Sequence, residues 1–270
     1  MQRCRVKDLD VGGGAPTRIM GVINCSPESF YSGTYTPPGT VHSRACFLVE
    51  QGADIIDIGA RSTAPHALPL DRGEEIVRMK RALSSLDGSG IRISVDTTDR
   101  EVLEVCLGYD VALVNDISGF LDPVYASLVG DSGLPALLMA SRRAPGDSRS
   151  LDDVHSAIAM VDTRARVSGL AEYILDPGVG VWTPERTPEL DWEICCHYEE
   201  FTMYNRPLVA AVSRKTFLGT VGDRPPEGRL PASLAMTVFL VSKGADIVRT
   251  HDVAETRDAV HVAERVRRRS

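Results

Sequence analysis

The chain has 270 residues, is 43% hydrophobic and carries a formal net charge of −7. Its acidity, without any basic block, argues against nucleic acid as a partner, and no apolar run nears the roughly 20 residues of a membrane span. The length fits one large domain or two small ones and is about that of an eight-stranded α/β barrel.

Met1 to Asp10 lacks the apolar core of a secretion signal, so the cytoplasm is the expected compartment. Residues 1–17 read as an N-terminal extension. Short apolar runs then alternate with longer amphipathic stretches, strand before helix each time. The pairs are Ile19–Ile23 with Val41–Gln51, Ile55–Ile58 with Gly73–Leu86, and Ile91–Val95 with Arg100–Leu107. Next come Ala112–Val114 with Pro123–Ser132, Ala136–Met139 with Asp152–Ser168, and Tyr173–Leu175 with Pro188–Tyr204. The last two are Leu208–Val212 with Pro231–Lys243 and Ile247–Val248 with Ala254–Arg268. The strand runs are rich in Val, Ile and Leu, as strands buried on both faces should be. Gly108, Gly133, Gly169 and Gly244 stand where helices need a left-handed cap.

Eight alternating units imply parallel strands, because a crossover helix returns the chain to the same edge. The expected fold is therefore an α/β single-domain (β/α)8 TIM barrel over residues 18–268. A doubly wound open sheet is the alternative, but no Gly-x-Gly-x-x-Gly follows the first strand. Arg142–Ser150 and Thr220–Arg229 read as barrel loops. The four arginines of Arg265–Ser270 suit a solvated helix C-terminus.

The six cysteines, Cys4, Cys25, Cys46, Cys106, Cys195 and Cys196, show no CxxC spacing, which argues against zinc or a disulfide framework. Cys25 falls in a predicted active-site loop, where a small loop residue is the plainer reading than a reactive thiol. Asn24-Cys25-Ser26 matches a glycosylation signal that has no meaning without secretion.

Polar residues gather at the strand ends: Asn24, Asp57 with Arg61-Ser62-Thr63, Asp96-Thr97, Asn115-Asp116, Asp176-Pro177-Gly178, Ser213-Arg214-Lys215, and Arg249 with His251-Asp252. Any one of them could be a helix cap. Seven strands of eight ending this way point instead to a barrel mouth, where sites of this fold lie. Asp96, Asn115, Asp176 and Lys215 match a flat heterocycle with ring N–H groups, an exocyclic amine and a carbonyl. Charged hydrogen bonds of that kind contribute about 1.5–3 kcal/mol each. Asn24, Thr63, Arg249 and His251 suit a phosphate or diphosphate, with Mg²⁺ as a possible companion, since that ion needs few protein ligands. HExxH, a Walker loop and a Gly-x-Ser-x-Gly elbow are all absent.

Together, and in this order, the motifs resemble the dihydropteroate synthase family. Met20-Gly21-Val22-Ile23-Asn24-Cys25-Ser26-Pro27-Glu28-Ser29-Phe30 is similar to its first signature. Gly52-Ala53-Asp54-Ile55-Ile56-Asp57-Ile58-Gly59, with Ser62-Thr63 and Pro65, is similar to its second. The resemblance runs from about Arg18 to Val262. It implies a TIM barrel, often a homodimer, that joins a pterin methyl diphosphate to an arylamine and releases diphosphate, with Mg²⁺ as cofactor. It further implies that Asp96, Asn115, Met139, Asp176 and Lys215 hold the pterin, and that Thr63, Arg249 and His251 serve the phosphates. On the same basis Asn24 contacts Mg²⁺ and diphosphate, and Ser213 and Arg214 lie beside the arylamine. Asp96, Lys215, Arg249 and His251 would carry the catalysis, while Asp57 supports the barrel interior.

The chain departs from the family pattern in places. Ala64 stands where an arginine is usual, and Gly180-Val181-Trp182-Thr183 replaces a Gly-x-Gly-Lys run. Met139-Ala140-Ser141 stands where Met-His is common. These changes resemble an archaeal-type branch that uses a phosphoribosylated arylamine. Two other readings share the pterin pocket: a methyltransferase acting on a corrinoid, and a non-catalytic pterin carrier.

Overall fold

The computed structural model describes residues 2–27, 35–61 and 70–267. Thr63 and Ala64, the second-loop residues of interest, lie outside this set. So do residues 28–34 of the first loop and Arg268.

Two short strands, β1 (Arg3–Val6) and β2 (Leu9–Gly12), form an antiparallel hairpin. Eight parallel strands follow: β3 (Arg18–Asn24), β4 (Ile55–Gly59), β5 (Ile93–Asp96), β6 (Val111–Asp116), β7 (Ala136–Met139), β8 (Tyr173–Asp176), β9 (Val209–Ala210) and β10 (Ile247–Thr250). Their spatial order is β8-β7-β6-β5-β4-β3-β10-β9. A parallel bridge between Leu175 and Leu208 joins β8 to the residue before β9, and Leu175 N–H donates to Pro207 O at 2.9 Å. These contacts close the sheet into a barrel.

The helices on the outside are α1 (Val41–Glu50), α2 (Arg72–Leu86), α3 (Arg100–Cys106), α4 (Pro123–Ser132), α5 (Leu151–Val167), α6 (Pro188–Cys196), α7 (Thr216–Gly219), α8 (Leu230–Ser242) and α9 (Val253–Arg267). Side-chain caps start four of them. Asp71 accepts from Glu74 N, Asp99 from Glu101 N and Val102 N, Asp122 from Val124 N, and Ser150 from Asp153 N. Each satisfies a donor that the first turn leaves unpaired.

Strand alternation sorts the core into two layers. Outward residues such as Ile56, Ile58, Val95, Val114 and Leu138 pack on the helices. Inward residues Met20, Ile55, Leu113, Ile174 and Ile247 fill the lower barrel. That lower layer is sealed by Cys4, Val6, Leu9 and Val11 of the hairpin. The N-terminal stretch, expected as an extension, is thus the barrel's plug, and its apolar residues alternate as a half-buried hairpin requires.

Two local expectations need correction. Gly108 is not left-handed, unlike Gly133, Gly169 and Gly244; its N–H bonds Val105 O at 3.2 Å, so the tight turn continues through it. The segment expected as one helix, Pro188–Tyr204, is α6 followed by a 3-10 helix at Tyr198–Tyr204. Buried Tyr198 and Phe201 lie three residues apart, the spacing a three-residue turn aligns.

Candidate active site

The upper, C-terminal layer of inward side chains surrounds a cavity of about 240 Å³. Asn24, Asp96, Asn115, Asp176, Ser213, Arg214, Lys215, Arg249 and His251 all line it. Six separate strands therefore deliver to one place groups that the sequence placed at strand ends. Val22, Ile117, Leu137 and Ala211 supply apolar wall between them.

On one side of the floor is an ion-pair network. Arg249 Nε donates to Asp57 Oδ2 at 2.7 Å, and its Nη2 donates to Asp96 Oδ2 at 3.0 Å. Asn115 Nδ2 donates to the same Asp57 oxygen at 3.0 Å. Asp57 is fully buried and faces Ser94 in the β4–β5 register. Burial, and then the charge of Asp57, push the Asp96 carboxyl up to about 7, against the pull of Arg249. Burial alone would lower Arg249, but the two carboxylates outweigh it and hold the guanidinium above its ordinary value. Two acids close together tolerate each other only because a cation lies between them.

Asp176 and Lys215 form the other side. Asp176 Oδ1 accepts from Gly178 N–H at 2.7 Å. Burial raises its pKa, and the nearby Lys215 opposes that. Lys215 Nζ donates to the carbonyl of Val179 and lies 5.2 Å from the centre of the Trp182 ring. Burial lowers the lysine to about 8, although Asp176 and Asp191 favour its charged form.

Toward solvent, Ser213 Oγ lies 3.0 Å from His251 Nδ1 and accepts from His251 N–H at 3.2 Å. Burial, and then Arg249, depress the imidazole to about 4. His251 is therefore neutral at pH 7 and serves as a hydrogen-bonding group, not as the cation a phosphate site suggests. Asn24 Oδ1 accepts from Ser26 N–H at 3.0 Å, which anchors the start of the first loop.

Several expectations change in detail. Met139 is fully buried and is not among the residues lining the cavity. It sits under Gly178, where an added Cβ would come within 3.1 Å of Met139 Cγ, so it supports the floor. Arg214 lines the cavity, but its guanidinium is bound to Asp252 at 2.7 and 2.8 Å and to the carbonyls of Pro226 and Glu227, both at 2.9 Å. It is a strut between the β9 and β10 loops before it is a ligand contact. Arg249, expected at the phosphates, is joined to Asp96, an acid expected at the pterin. Asp116 accepts from Ser118 and Phe120 and shapes the turn after β6. Burial lifts the Cys25 thiol to about 11, which leaves it inert. Arg61 also lines the cavity and donates to Thr98 Oγ1 at 2.6 Å.

In the sequence, Trp182 stands out only as part of the run Gly180-Val181-Trp182-Thr183 that replaces Gly-x-Gly-Lys. Here its ring forms a wall, with Nε1 donating to Gly178 O at 3.0 Å. Sequence reasoning also missed Arg186 and Asp191, a fully buried ion pair behind that loop. Two opposite charges five residues apart at a helix start carry no distinctive signal.

The model of the pterin binding enzyme family matches residues 20–251. A type-3 dihydropteroate synthase of Escherichia coli is 33% identical over 261 residues, covering 92% of this chain and 98% of the relative. The chain belongs to the dihydropteroate synthase family. Its structure follows that family throughout: a Coxiella burnetii dihydropteroate synthase in complex with pteroic acid superposes with a TM-score of 0.88 at 27% identity over 99% of both chains. A Xanthomonas albilineans dihydropteroate synthase with 4-aminobenzoic acid gives 0.86 at 29% identity, over 98% of this chain and 97% of that one. The matched proteins are dihydropteroate synthases, transferases of alkyl and aryl groups, and this favours that class over methyl transfer and over a non-catalytic carrier.

Proposed function

We propose that the chain condenses a 6-hydroxymethyl-dihydropterin diphosphate with p-aminobenzoate and releases diphosphate. One observation carries this reading: Asp96, Asn115, Asp176 and Lys215, from four strands, line the same cavity. Carboxylates accept paired N–H bonds from a guanidine-like ring edge, the amide reads a ring nitrogen or carbonyl, and the lysine holds the remaining acceptor. A ligand without those donors would leave buried acids unpaired and be rejected.

In the reaction, the arylamine nitrogen attacks the methylene carbon, the carbon–oxygen bond to diphosphate breaks, and the nitrogen gives up a proton. The pterin cavity orients the electrophile. Arg249 balances negative charge near the leaving group, while neutral His251, oriented by Ser213, offers a hydrogen bond to it. No side chain needs to form a covalent intermediate.

Among the described residues no group of three His, Cys, Asp or Glu side chains could hold a metal. The amide oxygen of Asn24 at the cavity fits a Mg²⁺ bound mainly by diphosphate oxygens and water. Bound there, the ion supplies charge neutralisation to the leaving group. In this reading Thr63, outside the described residues, serves the phosphates, and Ser213 serves the arylamine.

The homodimer implied by the family resemblance is part of this reading; light scattering on the purified protein tests it. No helix among the described residues is long and apolar enough to cross a membrane, in keeping with a protein that works on dissolved substrates in the cytoplasm.

The decisive assay mixes the protein with the pterin diphosphate and p-aminobenzoate, then measures diphosphate release and the adduct by mass spectrometry. A parallel arm uses a ribofuranosylated aminobenzene phosphate, the partner of the archaeal-type branch. Both products are expected with at least one amine. Methyl transfer to a corrinoid without diphosphate release, or pterin binding with neither reaction, would replace the synthase reading.

A further inference from the structure

One peptide unit of the β8–α6 loop is held at both ends. Its carbonyl, on Val179, accepts from Lys215 Nζ. Its N–H, on Gly180, donates to Asp191 Oδ1 at 2.8 Å. That same carboxylate oxygen takes two bonds from Arg186, from Nη2 at 2.9 Å and Nε at 3.3 Å. Both side chains are buried, and Arg186 Nη1 also reaches Gly146 O at 3.4 Å, which ties the loop to the segment after β7. The second oxygen of Asp191 is buried without a partner.

The backbone packs directly on the lysine. Gly180 has φ +133, and a Cβ there would lie 3.2 Å from Lys215 Nζ and 3.2 Å from Trp182 Nε1. Any side chain at this position would push the ammonium group away.

We infer that Asp191, clamped by Arg186, is a positioning residue that acts through the Val179–Gly180 peptide to hold the Lys215 ammonium toward the pterin cavity. A carboxylate that accepts an amide N–H polarises the amide, so its carbonyl becomes a stronger acceptor in a low-dielectric interior. The lysine is thereby fixed by a neutral carbonyl, with donors left over for a ligand. A pair that only knitted the loop together would account for Arg186 and the Gly180 N–H. It would not account for the lysine at the far end of the same peptide.

The charged groups around Lys215 are Asp176 from β8, Asp191 from α6, Arg186 from the loop and Arg249 from β10. His251 and the Cys195 thiol lie within its influence as well. The two acids favour the ammonium form and the two arginines oppose it.

The inference rests on Lys215 being a pterin contact, and the test separates the two. One variant, Arg186→Met/Asp191→Leu, replaces the ion pair with apolar groups, an exchange that commonly leaves stability intact. A second, Asp191→Asn, keeps an oxygen for Gly180 but removes the charge. Pterin affinity by calorimetry is expected to fall roughly tenfold in the double variant, the scale of one charge-assisted hydrogen bond. The arylamine KM should stay unchanged. The alkaline limit of pterin binding should move to lower pH in Asp191→Asn, which leaves Arg186 uncompensated, and less in the double variant, where both charges are gone. A loop defect alone would not produce that order.

Hydrogen exchange at Gly180 in the unsubstituted protein is a check that needs no variant to fold. Protection is expected, and exchange at the rate of an open loop overturns the inference. Pterin affinity within about twofold of the parent in a folded Asp191 variant overturns it too. Unchanged affinity in Lys215→Met would instead remove the pterin role of the lysine.

Discussion

Arg249 Nη2 donates to Asp96 Oδ2 across the barrel mouth at 3.0 Å. One cation thus holds together two acids, Asp96 and Asp57, that lie two positions apart in the β4–β5 register. Arg249→Met should destabilise the fold by about 2–4 kcal/mol, because both acids lose their partner. The loss should also depend on pH. The Asp96 carboxyl, near 7 in the fold and 3.8 without it, contributes stability that is full below 3.8 and is lost as pH rises through 7. Removing Arg249 raises the carboxyl further and extends that decline upward. Urea melts at pH 6 and pH 8 should therefore differ more in the variant than in the parent; an equal difference in both would detach Asp96 from Arg249.

The two sides of the cavity titrate in opposite senses, which sets a window for pterin binding. Asp96 must be ionised to accept a pair of N–H bonds, so affinity should climb as pH passes about 7. Lys215 must keep its proton, so affinity should fall as pH passes about 8. Calorimetry with a pterin from pH 5.5 to 9.5 should give a narrow bell. Asp96→Asn should remove the acid limb and Lys215→Met the alkaline one. A flat profile in the parent would contradict both assignments.

Much of this was readable in the sequence because a parallel barrel writes its function at fixed places. Every strand contributes alternate residues to the interior, and the last inward residue faces the mouth. Asp96, Asn115 and Asp176 were therefore legible from short apolar runs that end in a polar residue. Partnership was not legible. Nothing in the spacing shows that Arg249 spans the mouth to Asp57, since the two lie 192 positions apart in the chain. The hairpin Arg3–Gly12 was missed because its alternation covers only four residues on each side, too short to stand out from charged neighbours. Asp191 was missed because its role runs through a backbone peptide, which leaves no mark on side-chain pattern.

His251 should respond to the leaving group. In the free protein its imidazole is depressed to about 4 by burial and by Arg249, so it stays neutral from pH 5 to 8. A bound diphosphate places negative charge nearby and should raise it. Proton NMR titration of the His251 ring, with and without inorganic diphosphate, should show the midpoint moving upward only when the anion is present. His251→Ala should correspondingly lower kcat while leaving pterin affinity nearly intact. An imidazole indifferent to diphosphate would take His251 out of the phosphate side.

Trp182 depends on a glycine from another loop. Gly146 has φ +62, and a Cβ added there would lie 2.2 Å from Trp182 Cγ. The clash is with the root of a ring, which cannot swing aside while Nε1 stays bonded to Gly178 O. Gly146→Ala should therefore cost about 2 kcal/mol or more, from the left-handed backbone and the overpacking together. It should also displace the indole from beside Lys215, moving the tryptophan emission toward that of a solvated ring. Since the displaced wall lines the cavity, pterin affinity should fall with it. Denaturant melts and emission spectra measure the first two effects. A variant as stable as the parent, with an unshifted spectrum, would mean that the loops after β7 and β8 do not pack together in solution.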